Sequence, residues 1–178
     1  PWDRYQRDSS QYPLSVSANR GKQLFYSAAL QCYSCHAGIN FSTPLLKDAE
    51  GKTDFYFNTG LYNIGEKNGY PVADRGLVVL TGNAADEGKF RVPTLRNLAF
   101  TGPYYHDGSA LSLEEVIRVY EQGGRKLPGG DGRSNPYKHK LIKGFTLTAA
   151  EREDLIAFLY SLSDTAFIKN EAYANPFR

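Results

Sequence analysis

Apolar positions are spread unevenly along the chain, and two stretches carry a sustained helical period. Leu113, Val116, Ile117 and Tyr120 fall at i, i+3, i+4 and i+7, on one face. Ser112-Leu113-Glu114-Glu115 is a capping box in front of that stripe, and Gly123-Gly124 stops the helix behind it. Leu155, Phe158, Leu159 and Leu162 repeat the pattern behind a second capping box, Thr148-Ala149-Ala150-Glu151. A further helix is predicted from about Ser17 to Ala29, with Leu24, Phe25 and Ala28 inward. Residues 1–16 are polar and aromatic, include Pro13, and read as an extended lead-in or linker, with Trp2 packed rather than relaying electrons. Residues 37–92 hold many Gly, Asn, Asp and Pro, interrupted by short extended pieces such as Asp54-Phe55-Tyr56-Phe57 and Leu77-Val78-Val79-Leu80. Pro128 to Pro136 reads as a mobile loop. The pattern predicts a mainly α fold with long loops and no internal repeat.

A chain of 178 residues makes one domain or slightly more. Structureless loops of this length are unusual in a compact domain, unless they pack against a large apolar body. Net charge is +2 with both signs scattered, which leaves no footprint for nucleic acid or an anionic membrane. No apolar run approaches the roughly 18 residues that a membrane span needs.

Cys32-Tyr33-Ser34-Cys35-His36 supplies such a body. C-x-x-C-H is the attachment sequence of c-type haem. Two thiols add to the two vinyl groups of one porphyrin, and the adjacent histidine meets the iron as proximal ligand. A redox dithiol of the thioredoxin kind would sit in a βαβ pattern, which is absent. A structural zinc site would need four ligands, and His106 and His139 are not spaced to complete one. Haem attachment follows export, which predicts a periplasmic location. The chain opens at Pro1 rather than Met, so a preceding signal, domain or both is expected.

The second axial position decides the function. The chain contains no Met, which excludes the His/Met class. His106, His139, one of 13 tyrosines or an open site remain. From the pattern alone, Tyr120 reads as a core aromatic, His106 as a hydrogen-bonded histidine in a turn, and His139, between Lys138 and Lys140, as part of a solvated face.

Phe90-Arg91-Val92-Pro93-Thr94-Leu95-Arg96-Asn97, followed by Thr101-Gly102-Pro103-Tyr104-Tyr105-His106-Asp107-Gly108-Ser109, resembles the C-terminal haem domain of bacterial di-haem cytochrome c peroxidases and their MauG-type relatives. The resemblance continues through Leu113-Glu114-Glu115-Val116, Gly123-Gly124, Gly144-Phe145-Thr146-Leu147-Thr148 and Asp154-Leu155-Ile156-Ala157-Phe158-Leu159. Asp3-Arg4-Tyr5 and Arg20-Gly21-Lys22-Gln23-Leu24-Phe25 resemble the segment entering that domain. It implies a cytochrome c-like haem domain over residues 17–178, with 1–16 as an inter-domain linker and loops wrapping the haem. The peroxidases proper ligate this haem with a Met where MauG-type enzymes have a Tyr, and the matching position here is Tyr120. Calcium is implied at the backbone carbonyls of Thr101 and Pro103, and Arg96 is the candidate partner of a haem propionate. The family carries two haems, so an N-terminal haem domain, where hydrogen peroxide reacts, is implied as a missing partner. The implied activity is that of a peroxidase-family oxidoreductase. A six-coordinate His36/Tyr120 haem would store or relay oxidising equivalents for oxidation of a protein substrate. The rival readings are a single-haem electron carrier with two histidine ligands, exchanging electrons with a redox partner protein, and a haem sensor with an open site.

Overall fold

The computed structural model describes residues 1–47, 50–65, 69–127 and 130–177. Among these described residues, seven α-helices account for most of the regular structure: α1 (Trp2–Arg7), α2 (Val16–Phe25), α3 (Cys32–Cys35), α4 (Val78–Thr81), α5 (Leu113–Glu121), α6 (Ala149–Ser161) and α7 (Thr165–Ile168). Among these residues, two antiparallel pairs of short strands and four 3₁₀ turns complete it. β1 (Tyr56–Asn58) pairs with β2 (Lys89–Arg91), and β3 (Lys126–Leu127) with β4 (Gly130–Asp131). The fold is mainly α, as the pattern predicts. Among the described residues no helix is long and apolar enough to cross a membrane.

The crossing of α2 and α6 organises the core. Gly21 makes it possible: a Cβ there would lie 1.8 Å from the Asp154 carbonyl oxygen. The crossing is locked by Asp154, whose carboxylate accepts from Ser17 Oγ at 2.6 Å and from Arg20 Nε and Nη2 at 2.6 and 2.7 Å. Below it, Phe158 is fully buried among Trp2, Phe25 and Phe41, all in edge-on or tilted contact. Leu155, Leu159 and Leu162 are buried as their spacing predicts.

The capping box of α6 is complete, with Thr148 and Glu151 each taking the other's backbone N–H. At α5, Ser112 Oγ accepts from Glu115 N–H, but the Glu115 carboxylate takes the Leu111 N–H at 2.6 Å, one residue earlier than the motif predicts. Gly123 and Gly124, at φ 70° and 126°, end the helix.

Four local expectations are corrected. Residues 1–16 are not extended throughout: Trp2–Arg7 is helical and Trp2 joins the core, where it packs. α2 stops at Phe25, so Ala28 is exposed rather than inward. Leu77 to Leu80 is not extended but enters the helical turn α4, framed by Gly76 and Gly82 at φ 76° and 67°. The segment 130–136 is not a loose loop. It holds β4 and a 3₁₀ turn over Gly132–Ser134, and Asn135 is buried with its amide donating to the Tyr62 carbonyl at 2.8 Å. Pro128 and Gly129, part of the same expectation, lie outside the described residues.

Candidate functional site

α3 is a single helical turn, entered through Gln31 at φ 54°. Its length places Cys32 and Cys35 three residues apart, on one side. The chain leaves the helix at His36, whose Nδ1 donates to the Phe41 carbonyl at 3.0 Å. With its proton on Nδ1, the ring keeps a free lone pair on Nε2, the arrangement of a metal-ligating histidine. Phe41 holds that carbonyl in place from φ 51°, a left-handed conformation that an aromatic residue rarely adopts, and is buried in the core. Burial lowers the His36 pKa and favours the neutral ring, against the opposing pull of the Phe41 and Pro93 carbonyls.

Cys32, Cys35 and His36 line a cavity of about 530 Å³. Its walls are mostly apolar and come from α2, α5, α6, both strands of the first pair and the segments 92–98 and 104–106. Burial pushes the Cys32 thiol up to about 12 and the Cys35 thiol to about 11. Protonated thiols of this kind are unlike the low-pKa nucleophile of a redox dithiol.

Tyr120 reaches the same cavity from α5. Its hydroxyl makes no hydrogen bond among the described residues, and it is not sealed off, so it faces the open volume. Burial, and then the nearby Cys35 and Cys32 sulfurs, push its phenol above the ordinary value. A phenolate here would therefore need a cation in contact with it.

Both remaining histidines line the cavity, and neither offers a free Nε2. His139 is not on a solvated face. It packs edge-on against Phe57, and its Nδ1 accepts from the Leu141 N–H at 3.3 Å. The ring proton is then on Nε2, which has no lone pair left for a metal. His106 stacks on Phe90 at 3.6 Å between centroids and turns its Nε2 to Asp74 at 3.3 Å.

Arg96 also lies in the wall, but its guanidinium is largely committed. It donates to both Asp3 oxygens at 2.9 Å and to the Ile39 carbonyl at 2.9 and 2.7 Å, and it sits over the Phe41 ring. Four of its five N–H groups are used, leaving one on Nη1. Thr101 and Pro103 lie in the same wall, flanking Gly102. Among the described residues no group of three or more His, Cys, Asp or Glu is placed to hold a metal ion.

Two further participants escape pattern reasoning. The Phe41 contribution is a backbone carbonyl, which no side-chain motif reports. Tyr105 adopts φ 66° and donates its phenol proton to the Val116 carbonyl at 3.0 Å. The residues fit a covalently attached haem: two thiols and a correctly protonated histidine in one apolar cavity, with an unpartnered phenol in its wall.

No family model matches the chain. It is 36% identical to the cytochrome-c peroxidase IdrP1 of Pseudomonas sp. (strain SCT) over 181 aligned residues, covering 92% of this chain and 44% of that protein. It is 33% identical to the methylamine utilization protein MauG of Methylorubrum extorquens, covering 91% of this chain and 38% of MauG. A crystal structure of a MauG-like protein associated with microbial copper homeostasis superposes with a TM-score of 0.88 at 39% identity, over 99% of this chain and 51% of that one. The chain thus spans about half the length of the relatives it matches, and it belongs to the family of bacterial cytochrome c peroxidases and MauG.

Proposed function

We propose that residues 17–178 form the c-type haem domain of a MauG-type di-haem peroxidase, with residues 1–16 as the inter-domain linker. The haem would be held between His36 and Tyr120 and would store or relay oxidising equivalents drawn from hydrogen peroxide for oxidation of a protein substrate. The observation that carries this reading is the unpartnered Tyr120 hydroxyl in the cavity that also contains Cys32, Cys35 and His36.

When bound, the haem supplies reversible one-electron chemistry at its iron. The chain does the rest. Cys32 and Cys35 would fix the macrocycle, and the Phe41 carbonyl aims His36 Nε2 by holding the proton on Nδ1. Tyr120, on losing its phenol proton to solvent, would offer a hard anionic oxygen, a ligand that favours ferric and higher oxidation states. The apolar walls, with loops wrapping the haem, would exclude water and so strengthen every fixed charge in the cavity. Arg96, kept in place by Asp3, would have its remaining Nη1 N–H to offer a haem propionate. The carbonyls of Thr101 and Pro103 would contribute to a calcium site whose other ligands would come from outside these 178 residues. Haem attachment after export would put the protein in the periplasm.

With His36 and Tyr120 both holding the haem, the chain would leave peroxide no place to bind here. It would react at the second haem, in a partner domain outside these residues, and the isolated chain is expected to be a poor peroxidase. The test is the ferric optical and spin-resonance spectrum of the haem-loaded chain beside its Tyr120→Phe variant. A low-spin spectrum that turns high-spin on loss of the phenol oxygen is expected. A low-spin spectrum unchanged by the substitution would remove Tyr120 from the iron and return the histidines to contention.

A further inference from the structure

Tyr105 stands next to Tyr120 in the cavity wall, yet the two phenols are differently engaged. The Tyr105 hydroxyl donates to the Val116 carbonyl at 3.0 Å. Val116 lies one turn before Tyr120 on α5, and in an α-helix that same carbonyl receives the Tyr120 N–H. The Tyr105 hydroxyl is therefore tied to the turn that presents Tyr120. Since a carbonyl can only accept, Tyr105 stays a protonated phenol and is not itself poised as a ligand.

The backbone supports this role. Tyr105 sits at φ 66°, where a bulky residue is rarely found, so the surrounding structure must impose the conformation. The Tyr104–Ala110 bridge does so, with Tyr104 N–H on the Ala110 carbonyl at 2.8 Å, closing the turn that carries Tyr105. The ring itself is wedged between two spaces. One is the main cavity, and the other is a cleft of about 300 Å³ along α5 that is also lined by Val119 and Gln122. Burial raises the Tyr105 phenol well above its ordinary value, and the proximity of Tyr120 adds to the effect.

We propose that Tyr105 is a positioning residue whose hydroxyl clamps the turn of α5 carrying Tyr120, and so sets how firmly Tyr120 holds its place in the cavity. This rests on the reading of Tyr120 as an axial ligand. Tyr105→Phe removes one oxygen and is expected to keep the ring in its wedge and the fold intact.

The experiment is an imidazole titration of the ferric, haem-loaded chain in four forms: the native sequence, Tyr105→Phe, Tyr120→Phe and the double variant. Imidazole competes with Tyr120 for the iron, so its affinity reports how firmly the phenol is held. Tyr105→Phe is expected to keep the low-spin spectrum and to bind imidazole about 3- to 10-fold more tightly, the range that one net hydrogen bond spans. In the Tyr120→Phe background the same substitution is expected to change nothing. An equal change in both backgrounds, or none in either, would overturn the clamp while leaving Tyr120 as ligand. A Tyr120→Phe variant that keeps the native low-spin spectrum would instead overturn the ligand reading, and the clamp with it.

Discussion

Asp107 shows how much of the cavity's second layer depends on one carboxylate. Its Oδ2 accepts from the Tyr62 hydroxyl at 2.8 Å and from Arg125 Nη2 at 3.1 Å, and its Oδ1 accepts from the Ser109 N–H at 3.0 Å. Arg125 in turn reaches the Leu61 carbonyl at 2.9 Å and lies over the Tyr62 ring. Burial alone would raise the Asp107 pKa, but Ser109, Tyr62 and Arg125 outweigh it and hold the group at about 2. A depressed carboxylate pKa stabilises the fold fully above the unfolded value near 3.9, and that contribution fades as pH falls towards the folded value. Asp107→Asn is therefore expected to cost up to about 2 kcal/mol at pH 7, after allowance for solvent screening. The difference from the native chain should shrink between about pH 4 and pH 2. Urea midpoints of both proteins at several pH values measure it, and the other depressed acids cancel because both proteins share them. A difference that stays constant down to pH 2 would contradict the assignment.

Among the elements, the α2–α6 crossing tolerates least. At Gly21 the atoms that an added Cβ would meet are the backbone of Asp154 and Leu155, the nearest at 1.8 Å, and backbone cannot swing aside as a side-chain tip can. Gly21→Ala must push the helices apart and loosen the Ser17 and Arg20 bonds to Asp154. We expect a loss of about 3 kcal/mol or more, read as a lowered urea midpoint with an unchanged slope. An effect below about 0.5 kcal/mol would mean that the helices separate freely. The crossing also shows what the sequence could and could not disclose. The α6 capping box and stripe are legible because each signal is local and the 3.6-residue period holds from Leu155 to Leu162, about two turns. The Cys32-Tyr33-Ser34-Cys35-His36 attachment motif is legible because its chemistry demands a fixed spacing. Leu77 to Leu80 misleads because four apolar residues fit either period, and the glycines framing them choose the helical turn. His139 misleads because its lysine neighbours say nothing of the opposite side, where Phe57 and the cavity lie. Phe41 and Tyr105 act through backbone carbonyls brought close by the fold, and such contacts leave no trace in composition or spacing.

At the scale of the whole molecule, core and cavity are one object. Phe25, Leu98, Leu113, Ile117, Leu155 and Leu159 belong to the hydrophobic core and also line the cavity. A haem-free chain would have to collapse this 530 Å³ space, flood it with water or leave it void. At roughly 24 cal/mol per Å³, the void alone would cost on the order of 10 kcal/mol, as much as the entire stability of a typical domain. Water entering through the mouth lowers that figure but leaves the apolar walls wet. We therefore expect the haem-free chain to keep helical far-ultraviolet dichroism while losing near-ultraviolet signal and binding a hydrophobic dye. The losses should be uneven. α2 and α6 hold each other through Gly21 and Asp154 without the cavity, whereas α5 presents Val116, Ile117 and Tyr120 to it. Amide exchange in the haem-free chain should accordingly be faster in α5 than in α2 and α6, while the three are comparably protected once haem is attached. Equal protection of all three helices without haem would show that the polypeptide builds this cavity unaided, and that the haem occupies a site already folded.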